Sequence, residues 1–336
     1  MIRVSEPIFG RGLAGDLPSD ILRNAIVFTM EIPWGIVQPS LACSPFQVRY
    51  VGGMELSSVE KFVESLPDFE VAIGVGGGTS IDTAKFAAWK RDKRLILIPT
   101  ILSTDAPFTK AIGVRVDGRV RYLGEVYPDP LLIDFDILQK SPKKLNRSGA
   151  GDVLSIYTAL WDWKLASEKS SERYDEMIAN ESKKILQALA DKAEEICENT
   201  ELGLKTLAML FKEEVLLCEI FGSSRPEEGS EHYFAYCIEY LTKKKFLHGE
   251  LIAFSVILTS LYQGQDASMI KNVVKRLGIE HSPEAIGITE KEVIDTLVYL
   301  PKYLEEEKQL LYGIYHHKPP TEKEARELLE KLKDIL

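Results

Sequence analysis

Two imidazoles and one carboxylate are the most reactive combination in the second half of this chain. His232 lies in GSSRPEEGSEHYFAY and His248 begins a helical pattern in FLHGELIAF. Asp152 falls in GAGDVLSIYTALWDW, among Leu154, Ile156, Leu160 and Trp161. A carboxylate in such surroundings has to be solvated, paired or bound to a cation, because an unpaired buried charge is costly. One carboxylate and two imidazoles suit a divalent metal that keeps a position open for a substrate oxygen. The three lie far apart in sequence, so spacing alone does not bring them together, and capping or surface roles stand beside the metal reading. The remaining histidines, His281 beside Ser282-Pro283 and the pair His316-His317 beside Lys318, read as loop residues.

A second stretch, VAIGVGGGTSIDTAK from Val71 to Lys85, offers different chemistry. The apolar run Val71, Ala72, Ile73 and Val75 predicts a buried strand, and Thr79 or Ser80 can cap a helix through Ala84, Ala87 and Ala88. Gly76, Gly77 and Gly78 lack Cβ atoms, which lets a phosphate approach the amides at the positive end of that helix. Asp82 is three residues after Thr79, where it can close a capping box or face a ligand. An ordinary tight turn between strand and helix is the alternative.

These residues need a scaffold of some size. At 336 residues the chain exceeds what one core usually serves, which predicts two domains. Its formal net charge of -10 disfavours nucleic acid and anionic lipid as partners. Cys43, Cys197, Cys218 and Cys237 are scattered without a CxxC pair, the usage of reduced thiols in a cytoplasmic protein. MIRVSEPIFGRGL lacks the apolar core of a signal peptide, and the longest apolar run, Leu251 to Leu261, is far short of the roughly 20 residues that span a bilayer.

Ala25 to Met30, Gln47 to Val51, Val71 to Val75 and Leu95 to Ile98 read as strands, with a helix over Ser57 to Leu66 and another after the glycines. Strands joined by helices predict a Rossmann-like, parallel, doubly wound sheet that binds ligands beyond the carboxyl ends of its strands. Ala111 to Val116 and Val120 to Tyr122, around Asp117-Gly118, predict a hairpin added to that sheet. After Met30 the sequence EIPWGIVQPSLACSPF leaves little room for a long helix, and Glu31 is placed either to contact a ribose or to lie solvated in a loop.

Beyond Asp134 strand signals almost vanish. Asn146 to Leu165, Glu172 to Asn199, Glu201 to Phe221, Glu227 to Leu241 and Gly249 to Tyr262 carry apolar residues at helical spacing. Thr321 and Glu324 predict a capping box for the last helix. The expected plan is an α/β nucleotide-binding domain over residues 1–140 and an all-α domain over 141–336, with a ligand in the cleft that two such domains usually form.

The ordered series GGGTSIDTAK, PTILSTDAP, SGAGDVLSIYTALWDWKLA, GSSRPEEGSEH and LHGE resembles the iron-containing alcohol dehydrogenase and dehydroquinate synthase superfamily over roughly Val71 to Ile252. The second half looks most like its glycerol-1-phosphate dehydrogenases, and STDAP is closer to its glycerol dehydrogenases. The resemblance implies a metal held by Asp152, His232 and His248, with zinc first and iron or nickel as alternatives. It implies an NAD or NADP cofactor on Gly76, Gly77, Gly78, Thr79, Ser80, Asp82, Thr100, Ser103 and Thr104, and a polyol contact at Asp105. Asp82 and Asp105 would orient hydroxyls or the nicotinamide.

The implied reaction interconverts a small polyol or phosphopolyol and its ketone, with glycerol 1-phosphate and dihydroxyacetone phosphate as the leading pair. Relatives often assemble, which implies a homo-oligomer. A phosphate would need a cation, for which Arg225, Lys110 and Lys245 are candidates. Aspartate at position 152 favours a dehydrogenase over the lyase branch. Departures from the glycerol-1-phosphate pattern are STDAPFTK in place of a histidine-containing loop, Tyr236 in place of a histidine, and the short stretch after Met30. A dehydrogenase of glycerol or another polyol is therefore the second reading, and a non-catalytic metal- or nucleotide-binding homologue the third.

Overall fold

A computed structural model describes residues 4–336. The chain divides into two compact units, the first running to Asn146 and taking in Glu198–Val215, the second formed by Arg147–Cys197 and Leu216–Leu336. Such a division is not a single cut in sequence, and the residue pattern gives no sign of the return at Glu198.

The first unit is built on six strands: β1 (Pro7–Gly10), β2 (Ala25–Thr29), β3 (Gln47–Tyr50), β4 (Val71–Gly76), β5 (Arg94–Pro99) and β8 (Leu131–Asp134). Their order is β1-β8-β5-β4-β2-β3, and every pairing is parallel. Every residue of β2, β4 and β8 is buried, which explains why these strands read as continuous apolar runs. One face of the sheet packs Val27, Ile73, Val75, Ile96 and Ile98 against Leu22, Trp34 and Val37. The strands β1 and β8 escaped the sequence reading because PIFG and LLID are too short to display a period. After β2 comes the seven-residue helix Glu31–Val37 and a 3-10 turn, Gln38–Ser40, as the prolines require. Glu31 is exposed in the first turn of that helix.

β6 (Ala111–Val116) and β7 (Arg119–Glu125) form a hairpin, but as a separate two-stranded sheet instead of an extension of the parallel one. Asp117 and Gly118 both have positive φ, 53° and 77°, the conformation of a two-residue type I′ turn. The hairpin rests on the helix Gly78–Arg91. A Cβ at Gly124 would stand 2.5 Å from the ring of Trp89, so only glycine lets β7 lie so close.

The second unit is helical, with no strand among its described residues. Its central helix, His248–Gln263, is buried along almost its whole length, in keeping with an apolar residue on every face. The predicted capping box forms, Thr321 accepting from the Glu324 amide and Glu324 returning to the Thr321 amide. A second box, Thr289 with Glu292, begins a helix that the sequence reading did not mark. His316 and His317 end a short helix, Ile314–His317, instead of lying in a loop, and His316 stacks on Tyr312. Among the described residues no helix is long and apolar enough to cross a membrane.

Candidate functional site

The glycine turn sits at the carboxyl end of β4, as the strand-turn-helix reading requires. Gly76 takes φ 143°, and a Cβ there would stand 2.7 Å from Ser80 Oγ. Gly77 is the N-cap, and no side chain caps the helix Gly78–Arg91. This corrects the assignment of Thr79 or Ser80 as cap. Both lie inside the first turn, so Asp82 closes no capping box. Three glycines can bring the chain into the helix without a side-chain acceptor, which leaves amides at its positive end for a ligand.

Ser80 Oγ is buried and has no hydrogen-bond partner among the described residues, a second mark of a missing polar group. The Thr100 amide donates to Gly76 O at 3.0 Å. A Cβ at Gly78 would reach within 3.7 Å of Thr104 Oγ1, and one at Gly77 within 3.8 Å of Ser103 Oγ. The turn and the loop with Thr100, Ser103 and Thr104 are thus brought together, and their bare backbone and hydroxyls fit a nucleotide phosphate.

Sequence reasoning passed over Lys85. Its side chain is fully buried, and Nζ donates to Ala106 O at 3.1 Å and to Ala111 O. It also lies 3.4 Å from Asp82 Oδ1. Burial raises the Asp82 carboxyl above its usual range, an effect that the Lys85 charge and the Gly113 amide oppose. The same ammonium therefore ties Asp82 to the loop that carries Asp105, whose carbonyl accepts from the Phe108 amide. A lysine between Ala84 and Phe86, on a helix with little polar surface, was the available signal. Lys85→Met leaves the Asp82 carboxyl without its buried counter-charge and is expected to cost about 3 kcal/mol. Urea unfolding would measure it, and a loss below about 1 kcal/mol would contradict this account.

In the second unit Asp152, His232 and His248 converge. Asp152 lies in the helix Lys143–Leu154, His232 in the first turn of Ser230–Thr242, and His248 begins His248–Gln263. His232 Nε2 is 3.3 Å and His248 Nε2 3.2 Å from Asp152 Oδ1. One donor atom from each residue lies within 4.8 Å of the others, the only such group found among the described residues. Donors of a tetrahedral Zn²⁺ stand roughly 3.4 Å apart when each bond is about 2.1 Å, and the two distances from Asp152 Oδ1 to the imidazoles match that spacing. The His232 side chain is 8% exposed and that of His248 30%, which leaves the opening on the His248 side.

Electrostatics in the cluster call for positive charge. Burial alone would raise Asp152, but the charges and hydrogen bonds of His248 and His232 hold it far below the usual carboxylate range. Burial likewise opposes charge on His232, yet hydrogen bonds with Asp152 and Glu231 hold its imidazolium well above the ordinary value. A cation at the three donors would answer the same negative field.

Two buried carboxylates, Glu231 and Asp162, stand behind this cluster and were not singled out from sequence, although Asp162 sits between Trp161 and Trp163. Asp162 accepts from the amides of Ser230 (2.7 Å) and Ile314 (2.8 Å) and from Gln263 Nε2 (2.9 Å). Burial pushes its carboxyl up to about 6 against the Ser230 hydrogen bond, and the nearby Glu231 charge adds to the rise. A raised acid holds its proton more tightly folded than unfolded. Its contribution is therefore complete below about pH 4 and is lost as pH climbs through about 6, by as much as about 3 kcal/mol. Asp162→Asn is expected to be less stable throughout, but without this component. Urea unfolding at several pH values should show its deficit shrink from pH 4 to pH 6.5, and parallel curves would refute the assignment.

Of the candidate phosphate cations, Arg225 is withheld. It is fully buried, donates from Nε to Glu172 Oε1 at 2.7 Å, and pairs through Nη2 with Oε2. Lys110 lies 3.2 Å from Glu125. Lys245 is exposed on the loop that leads into His248.

With this geometry in view, comparison with known proteins is informative. Residues 29–142 match the family described as iron-containing alcohol dehydrogenase. A glycerol-1-phosphate dehydrogenase [NAD(P)+] of Methanothrix thermoacetophila is 33% identical, over 71% of this chain and 68% of its own. Its counterpart in Hyperthermus butylicus is 31% identical over 78% and 75%. In fold, the chain is similar to a probable glycerol dehydrogenase from Sinorhizobium meliloti, with TM-score 0.75 and 16% identity over 99% of this chain and 98% of that one. The glycerol dehydrogenase of Schizosaccharomyces pombe gives TM-score 0.71 and 19% identity over 100% and 90%.

Proposed function

This chain belongs to the iron-containing alcohol dehydrogenase superfamily, and on that premise we propose that it is a metal-dependent NAD(P) oxidoreductase interconverting glycerol 1-phosphate and dihydroxyacetone phosphate. The observation that carries the reading is the convergence of Asp152, His232 and His248, three residues widely separated in sequence, at 3.2–3.3 Å about one carboxylate oxygen.

Asp152, His232 and His248 would hold the cation, and Gly76 to Gly78, with Thr100, Ser103 and Thr104, would hold the pyrophosphate side of the cofactor. When bound, a divalent cation supplies Lewis acidity toward an alcohol or carbonyl oxygen, and a nicotinamide supplies or takes the hydride. Zinc is the cation assigned here, because one carboxylate and two imidazoles match its donor preference. The chain's own residues do the positioning. Lys85 fixes Asp82 and the segment after Asp105 through hydrogen bonds to Ala106 O and Ala111 O. Asp105, on that loop, orients a polyol hydroxyl. Lys245 is the residue assigned to meet the substrate phosphate.

The test is absorbance at the reduced-nicotinamide band, with zinc-loaded protein, NADH or NADPH, and dihydroxyacetone phosphate beside dihydroxyacetone. Oxidation of the cofactor by the phosphorylated ketone alone is the expected result. A Lys245→Ala variant should then raise KM for that ketone about tenfold, the worth of one charged contact of roughly 1.4 kcal/mol. The burial of Arg225 favours one alternative, a dehydrogenase of unphosphorylated glycerol, and turnover of the free ketone alone would establish it. No turnover with either would leave a binding role. A cytoplasmic location, motivated by the four free cysteines, and a homo-oligomer, motivated by the family resemblance, belong to the same proposal, and cell fractionation with light scattering would test them.

A further inference from the structure

Glu231 is fully buried one residue before His232, and each of its oxygens has a defined use. Oε1 accepts from the Gly229 amide at 2.7 Å, and Oε2 accepts from the Thr158 hydroxyl at 2.6 Å. Oε1 also lies 2.9 Å from His232 Nδ1. An oxygen that already receives an amide hydrogen acts as an acceptor, so the third contact calls for hydrogen on Nδ1. Nε2 is then the atom turned to Asp152, 3.3 Å away, and it is Nε2 that gives up its proton and offers a lone pair when a cation takes the place of the hydrogen bond. Gly229 is built for this arrangement. A Cβ there would stand 2.9 Å from Ala159 Cα, 3.0 Å from Asp162 Oδ2 and 3.1 Å from Glu231 Oε2.

We propose that Glu231 is a positioning residue of the metal centre, which fixes His232 in the tautomer that offers Nε2 to a divalent cation and is itself held by Thr158 and Gly229. The inference rests on the metal reading above. A carboxylate behind a ligating imidazole locks the ring and raises its basicity, and loss of such a partner usually weakens metal binding by 10 to 100-fold, roughly. Thr158 acts one step further out, its hydroxyl 2.6 Å from Glu231 Oε2 and 3.2 Å from Ser155 O, so its effect should be smaller and of the same sign.

The experiment is titration of the metal-free protein with Co²⁺ and, by competition, Zn²⁺, following the visible absorption of the bound Co²⁺. Glu231→Ala should weaken binding by about 10 to 100-fold and shift the Co²⁺ bands, because the freed imidazole changes its orientation. Glu231→Gln keeps an acceptor oxygen for Nδ1 and should recover most of the affinity. Thr158→Val, which leaves His232 and Glu231 in place, should weaken binding several-fold, so the inference stays testable if Glu231→Ala does not fold. NADH binding serves as the check of folding. Wild-type affinity and unchanged Co²⁺ bands in folded Glu231→Ala, or in Thr158→Val should Glu231→Ala not fold, would overturn the positioning role while leaving the metal centre intact. Failure of the wild-type protein to bind either cation would overturn the metal reading and this inference with it.

Discussion

One methyl group added at Gly249 is expected to abolish cation binding and lower stability by about 3 kcal/mol. Helix propensity argues the other way, since alanine in a helix is better than glycine by up to about 1 kcal/mol. Packing decides the sign. A Cβ at Gly249 would stand 1.6 Å from Ser148 O and 2.5 Å from Ser148 C, and these are backbone atoms of another helix that cannot rotate aside. The approach is reciprocal, because a Cβ at Gly151 would stand 1.9 Å from Gly249 O. The helices Lys143–Leu154 and His248–Gln263 would have to separate by roughly 2 Å to restore ordinary contact. Asp152 follows Gly151 and His248 precedes Gly249, so that displacement falls on two of the three donors. Coordination tolerates only about 0.2 Å. Thermal unfolding with and without zinc would show the result. Zinc at a hundred times its dissociation constant should stabilise the wild type by about 2.7 kcal/mol and leave Gly249→Ala unmoved. A variant with wild-type melting and zinc response would show that the close approach is not what holds the centre together.

His232→Ala is expected to lower turnover by about a thousandfold or more, because Lewis acid stabilisation worth several kcal/mol disappears with the cation. Neither neighbour can replace the lost donor. Glu231 lies on the Nδ1 side of the ring and is engaged with Gly229 and Thr158. Asp162 is occupied by Ser230, Ile314 and Gln263. Cofactor binding should be nearly unaffected, since the glycine turn belongs to the other compact unit. The check is steady-state turnover beside NADH fluorescence titration. Turnover within tenfold of the wild type would remove His232 from the centre, and a parallel loss of NADH affinity would point to general unfolding.

The sequence by itself determined the elements whose physics is local. β2, β4 and β5 could be read because strands covered on both faces are continuously apolar, and the glycine turn because its first residue, Gly76, takes a φ of 143° that side chains disfavour. Asp117-Gly118 marked the hairpin because both positions need positive φ, and Thr321 with Glu324 marked the last helix through bonds three residues apart. The three donors were legible as residue types in a row of familiar motifs, and Asp152 as a carboxylate among apolar neighbours.

Only the tertiary structure decided how these pieces meet. The hairpin's seat on the helix Gly78–Arg91 is marked by Trp89 against Gly124, a contact between side chain and backbone that no periodicity encodes. Lys85, Glu231 and Asp162 look like ordinary charges until burial removes water and leaves each with particular partners. Arg225 looked available until Glu172 was found to hold it. The approach of Asp152 to His248 depends on two helices touching at Gly151 and Gly249. A contact between backbones leaves no trace in side-chain patterning beyond two small residues, and for that reason it could be seen only once the chain was folded.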